Sequence, residues 1–190
     1  MRLTYAAFGL ILVAGLPAEA NEFSPQLTAL AEGEMRALLQ DPALIAAVRA
    51  QNGQTMDLSE TEITAMDQDW RAQVGAGSAP LIENVTANPV ADALRAAQEA
   101  SGGLYTEIFL MDAVGLNVAA SDVTSDYWQG DEAKWQQTFA QGPDALHISE
   151  IELDESTQAF QSQVSLSVID PETGNPIGAA TFGVNVEYLQ

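Results

Sequence analysis

Lys134 is the only lysine of this 190-residue chain, and it stands between Trp128 and Trp135, with Tyr127 just ahead of the first indole. A lone ammonium beside two indoles suits an anion held inside apolar walls, because small-molecule sites combine apolar lining with a few polar anchors. The same residues also read as a short helix that turns Trp135 into the core and leaves Lys134 solvated near Asp131 and Glu132. His147 is likewise the chain's one histidine. Strand alternation puts it on one face with Ser149, Ile151 and Leu153, where it serves either as a hydrogen-bonded core residue or as a ligand contact.

Other chemistries find little support. Zinc sites take three or four nitrogen or sulfur ligands, and one histidine with no cysteine cannot supply them. The acids at Asp122, Asp126, Asp131, Glu132, Asp154 and Glu155 lack the alternating loop spacing of a calcium site and suit turns or surface. No Gly-x-Ser-x-Gly elbow or phosphate-cradling glycine loop occurs. The expectation is a non-enzyme without metal or cofactor.

The composition sets the compartment and the class of partner. Arg2 precedes an apolar run from Leu3 to Leu16, and Pro17-Ala18-Glu19-Ala20 supplies the small-x-small pattern of a signal-peptidase site. The run is shorter than the roughly 20 residues a spanning helix needs. Residues 1–20 are therefore expected to be a cleaved leader and Asn21 the new terminus, placing the protein in the periplasm. Cleavage removes Arg2 and Glu19 together, so the formal charge stays at -21. Such a field repels nucleic acid and anionic lipid, and it also simply keeps a protein soluble. With no cysteine, the domain must fold by burial alone.

The elements that must hold these residues fall into two halves. Residues 21–103 read as helical. Ser24-Pro25, Asp41-Pro42 and Asn88-Pro89 are start signals, and Ser59 with Glu62 is a capping box. Ile63, Met66, Trp70 and Val74 share one side at helical spacing. Gly33 is expected to interrupt the first helix, Gly53 to stop the second and Gly102-Gly103 to stop the last, while Gly75 to Pro80 reads as a loop. In residues 104–190 the period changes to two. Leu104–Asp112, Leu116–Ser121, Leu146–Leu153, Phe160–Ile169 and Ile177–Leu189 are five strand candidates. Short turns at Ala113-Val114-Gly115 and Pro171–Pro176 make their neighbours antiparallel. An insert, Asp122–Phe139, carries a short helix from Asp131. The sum is one α+β domain, helices first and then an antiparallel sheet.

Several segments in this order resemble the Cache sensor domains, extracytoplasmic relatives of the PAS fold. They are Asp112–Ser121, Asp126-Tyr127-Trp128, Lys134-Trp135, Asp154–Thr157, and Ile177-Gly178 leading into Gly183-Val184-Asn185-Val186. The resemblance implies helices behind a central antiparallel sheet and a small ligand between the sheet and the insert. The expected ligand contacts are Tyr127, Trp128, Lys134, Trp135, His147 and Asn185. Amino-acid-binding members carry an aromatic residue, an arginine five positions on, a tryptophan two further and an aspartate in the last strand. Here those places hold Trp128, Ala133, Trp135 and Asn185. Both groups that would clamp an amino acid are replaced, and Lys134 then implies a small carboxylate. Without a second apolar span or room for an output module, the expected protein is a freestanding periplasmic binding or sensing unit. The alternative is an interaction module that docks on a membrane-bound sensor or transporter.

Overall fold

The computed structural model describes residues 21–153 and 159–189; the expected leader at 1–20 and the Asp154–Thr157 segment lie outside the described residues. Helix α1 (Ser24–Leu30) passes through a π-helical turn (Ala31–Met35) into α2 (Arg36–Leu38), so the chain does not break at Gly33 but widens there. Helices α3 (Pro42–Thr55), α4 (Glu60–Gln73), α5 (Pro80–Thr86) and α6 (Pro89–Ala100) follow. The expected caps form. Asp41 accepts from the Ala43 N–H at 2.7 Å, Asn88 from those of Val90 and Ala91, and Ser59 with Glu62 closes a capping box.

Two helical expectations need correction. Gly53 does not stop α3. Asn52 donates to the Ile177 carbonyl at 2.7 Å and Thr55 to Asp112 at 2.8 Å, and these contacts outweigh the roughly 1 kcal/mol that glycine costs inside a helix. The loop expected at Gly75–Pro80 gives way at its end to α5, whose start is capped from afar. Ala79 offers no side-chain cap, and Gln73 Oε1 instead accepts from the Leu81 N–H at 2.8 Å.

The sheet contains β1 (Tyr105–Met111), β2 (Asn117–Ala120), β3 (Leu146–Ile148), β4 (Glu152–Leu153), β5 (Phe160–Ile169) and β6 (Pro176–Asn185). Its order is β2-β1-β6-β5-β3, with β4 also on β5, and every pairing is antiparallel. The single strand expected at Leu146–Leu153 is split. Beyond Ser149 the chain leaves the ladder, because Asn21 Nδ2 and Ser162 Oγ both donate to the Ser149 carbonyl at 2.9 Å. The last strand ends at Asn185, and Val186–Leu189 forms a 3₁₀ turn. Short helix α7 (Ala133–Gln136) lies in the insert.

Alternation divides the sheet into two faces. On one, Ile108, Leu110, Val164, Leu166, Phe182 and Val184 pack against Leu27, Met35, Leu44, Val48 and Leu94 of the helices. A second core joins Phe109, Met111 and Ala179 to Ile63, Trp70, Ile82, Val85 and Tyr127. The helical layer behind a central antiparallel sheet is the α+β arrangement expected from the sequence. Among the described residues, no helix is long and apolar enough to cross a membrane.

Candidate functional site

Strand β5 alternates Gln161, Gln163, Ser165 and Ser167 with Val164, Leu166 and Val168, so its second face is polar where its first is apolar. Cross-strand register extends this face over the sheet. His147, Ser165, Thr181 and Phe109 form one row across β3, β5, β6 and β1, and Gln163, Gly183 and Glu107 form the next. A bulge between Tyr105 and Glu107 shifts the register of β1 here. Gly183 leaves space within the second row, since a Cβ there would lie 2.8 Å from Glu107 Cγ and 2.2 Å from Thr106 Oγ1.

Over this polar end lies a cavity of two lobes, about 390 and 270 Å³. Lys134, Glu152, Gln161 and Gln163 border both lobes. Glu107, Phe109, Thr124 and Gln129 are among the further residues of the first, with Leu153 at its rim, and Glu132, His147 and Ser149 among those of the second. Three polar side chains in this wall are almost fully buried: Thr124 at 7% exposure, Gln129 at 1% and Gln161 at 8%. Each is hydrogen-bonded. Thr124 Oγ1 donates to the Asp126 carbonyl at 2.7 Å, Gln129 Nε2 to the same carbonyl at 2.9 Å, and Gln161 Oε1 accepts from Thr106. Gln163 Nε2 donates to Glu107 Oε1 at 3.0 Å.

Of the residues expected at the site, the structure brings Lys134 and His147 together in the cavity wall. Lys134 Nζ makes an ion pair with Glu132 at 2.8 Å, donates to Gln129 Oε1 at 3.1 Å and lies 5.5 Å from the centre of the Phe109 ring. Its charge is thus compensated within the wall. His147 loses its proton more readily than usual, first because burial penalises the imidazolium and second because Lys134 is near.

The other four stand outside the lining of these two lobes, and the three aromatic ones hold the insert that carries part of it. Tyr127 stacks on Trp70, with centroids 5.5 Å apart and planes 14° from parallel. Burial, reinforced by the charge of Asp112, pushes its phenol up to about 12. Trp128 Nε1 donates to the Val114 carbonyl at 2.8 Å and Trp135 Nε1 to that of Asp112 at 3.1 Å, so both indoles tie the insert to the β1–β2 turn. That turn needs Gly115, where φ is +89° and a Cβ would lie 2.5 Å from the Gly130 backbone. Asn185 accepts the Glu187 N–H at 3.0 Å and opens the terminal 3₁₀ turn.

Asp67 and Arg71 also hold the insert in place. Asp67 Oδ1 accepts the backbone N–H groups of Tyr127 and Trp128, and Arg71 bridges Asp67 and Asp126 at 2.8 and 2.7 Å. The sequence reading passed over Glu107, Gln129, Gln161 and Gln163. The usable signal was the polar alternation of β5 and an acid at the start of β1, just ahead of its apolar run Ile108–Met111. Among the described residues, no group of three or more histidines, cysteines or acids could hold a metal ion.

His147 gives a pH prediction. Its folded pKa lies below the unfolded value of about 6.5, so its neutral form contributes stability above that pH, and the contribution is lost as pH falls from there through the folded pKa. With no other histidine in the chain, the decline in urea midpoint between neutrality and the carboxylate range should be smaller in His147→Gln. An unchanged decline in that variant would rule out His147 as its source.

No protein-family model matches the chain, and no curated protein matches it. Several solved structures that it resembles are sensory domains. The ligand-binding domain of the Campylobacter jejuni chemoreceptor Tlp3, in complex with 4-methylisoleucine, is 13% identical with a TM-score of 0.40, over 82% of this chain and 61% of that one. The ligand-binding domain of the Pseudomonas aeruginosa amino-acid chemoreceptor PctC, in complex with GABA, is 18% identical with a TM-score of 0.41, over 68% and 60%. The sensor domain of the Vibrio cholerae histidine kinase DctB is 14% identical with a TM-score of 0.37, over 85% and 58%. The chain therefore spans about three fifths of the length of these domains.

Proposed function

We propose that this protein is a small-molecule-binding sensory module of the Cache type, exported to the periplasm behind a leader at residues 1–20. Residues 21–103 supply its helical layer, and residues 104–190 its sheet and insert. The observation that carries this reading is the two-lobed cavity between the polar end of the sheet and the insert, with Thr124, Gln129 and Gln161 nearly buried around it. Buried polar groups beside a void suit a ligand with hydrogen-bonding groups of its own. The wall offers amides, hydroxyls and charges but no nucleophile paired with a base, so binding without turnover fits it better than catalysis. In this proposal the occupied module signals by docking on a membrane-bound sensor or transporter. The cross-strand pair Leu153 and Phe160, 49% and 50% exposed, offers an apolar edge for that contact.

A ligand that binds only the folded state raises stability by mass action, by about 2.7 kcal/mol at a hundred times its Kd. A thermal-shift screen of amines, carboxylates, amino acids and polyols should therefore find a saturable stabiliser. Native mass spectrometry of protein from periplasm should find a bound small molecule. A broad screen without a stabiliser, together with protein of bare mass, would remove the proposal.

A further inference from the structure

The charges around the cavity go beyond the proposed reading, on which this inference rests, and name a ligand class. Glu107, Glu132 and Glu152 border the two lobes, against the single ammonium of Lys134. His147 is held toward its neutral form by burial and by Lys134, so it adds little positive charge at neutral pH. Lys134 itself is paired with Glu132 and bonded to Gln129. A carboxylate ligand would have to displace Glu132 from Lys134 while entering a wall with an excess of negative charge. The floor already accepts positive charge, with Lys134 Nζ standing over the Phe109 ring. The formal charge of -21 on the chain draws small cations toward it.

We propose that the cavity binds an organic cation of the primary-amine class, a diamine whose ammonium groups meet Glu107 in the larger lobe and Glu152 in the wall the lobes share. Charge-assisted hydrogen bonds to carboxylates give such a ligand its affinity. The amides of Gln161 and Gln163, which line both lobes, add polar contacts along its length.

Titration calorimetry at physiological ionic strength with putrescine, butylamine and succinate tests this. Putrescine should bind saturably with one molecule per chain, and butylamine more weakly. Succinate, the dianion of the same carbon number as putrescine, should not bind. Glu107→Gln should weaken putrescine by roughly tenfold or more, the loss of one charge-assisted bond. Glu172→Gln, on the exposed turn between β5 and β6, should leave it unchanged. If Glu107→Gln does not fold, Glu152→Gln on the exposed β4 should weaken putrescine in its place. Succinate binding without putrescine binding would overturn the cation assignment and leave the ligand-binding reading standing. Amine binding that never saturates and ignores both substitutions would be counterion association with an acidic surface, and would also overturn it. The absence of any stabiliser in the wider screen would bring down both.

Discussion

Replacing Asp112 by alanine is expected to lower the unfolding free energy by about 3 kcal/mol, the cost of leaving buried donors without an acceptor. Asp112 is fully buried at the end of β1. Its Oδ1 accepts the N–H groups of Val114 and Leu116 at 3.0 and 2.9 Å, which closes the β1–β2 turn. Its Oδ2 accepts from Gln51 and Thr55 of α3 at 2.9 and 2.8 Å. Gln51 and Thr55 have further acceptors in the Asn117 and Gln51 carbonyls, so the loss falls mainly on the two backbone N–H groups. Asp112→Asn keeps one oxygen for the turn, and the Thr55 hydroxyl can rotate to accept from the new amide. Its cost should be about half that of alanine. Urea midpoints of the two variants check this. Losses below about 1 kcal/mol in both would mean that the carboxylate is not what closes the turn. Since Trp128 and Trp135 bind the carbonyls of Val114 and Asp112, the same substitution should also loosen the insert and weaken ligand binding.

The second large effect belongs to Trp70. Its ring is fully buried and stacks on Tyr127, and Nε1 donates to the Thr124 carbonyl at 2.9 Å. Trp70→Ala should cost about 3–5 kcal/mol, from lost burial and the cavity left behind. Trp70→Phe retains an aromatic face for Tyr127 but strands the Thr124 carbonyl, at about 1–2 kcal/mol. Thr124 walls the larger lobe, so the phenylalanine variant should lose ligand affinity more clearly than it loses stability. Calorimetry beside denaturant unfolding separates the two. Affinity unchanged in Trp70→Phe would show that Trp70 supports the core without setting the cavity wall.

Local chemistry made the helical caps legible. Asp41, Ser59 and Asn88 satisfy backbone donors one turn away, which spacing alone can reveal. Helix α5 was not legible, because its cap comes from Gln73 in another helix. The break after β3 was hidden for the same reason, as one of the two groups that take the Ser149 carbonyl is Asn21, 128 positions away in the chain. Strands with strong period-two patterns, such as Phe160–Ile169, matched the expected bounds.

The residues singled out for their rarity divide by neighbourhood. Lys134 and His147 meet at the cavity. Trp128 and Trp135 carry the same aromatic signal in sequence, yet their indole donors find carbonyls of the β1–β2 turn and their rings join the second core. Side-chain type shows that an indole will be partly buried with its N–H satisfied; it does not show which partner satisfies it.

By itself, then, the sequence determined the change from helical to strand periodicity near Leu104, the antiparallel turns and a unique ammonium on the insert. These follow from interactions between residues close in the chain. Only the tertiary structure decided that Lys134 would stand over the Phe109 ring instead of in solvent, and that Glu107, Gln161 and Gln163 would converge across β1 and β5 with Gly183 between them. Cross-strand register creates that convergence, and register joins residues more than fifty positions apart, beyond the reach of any local pattern.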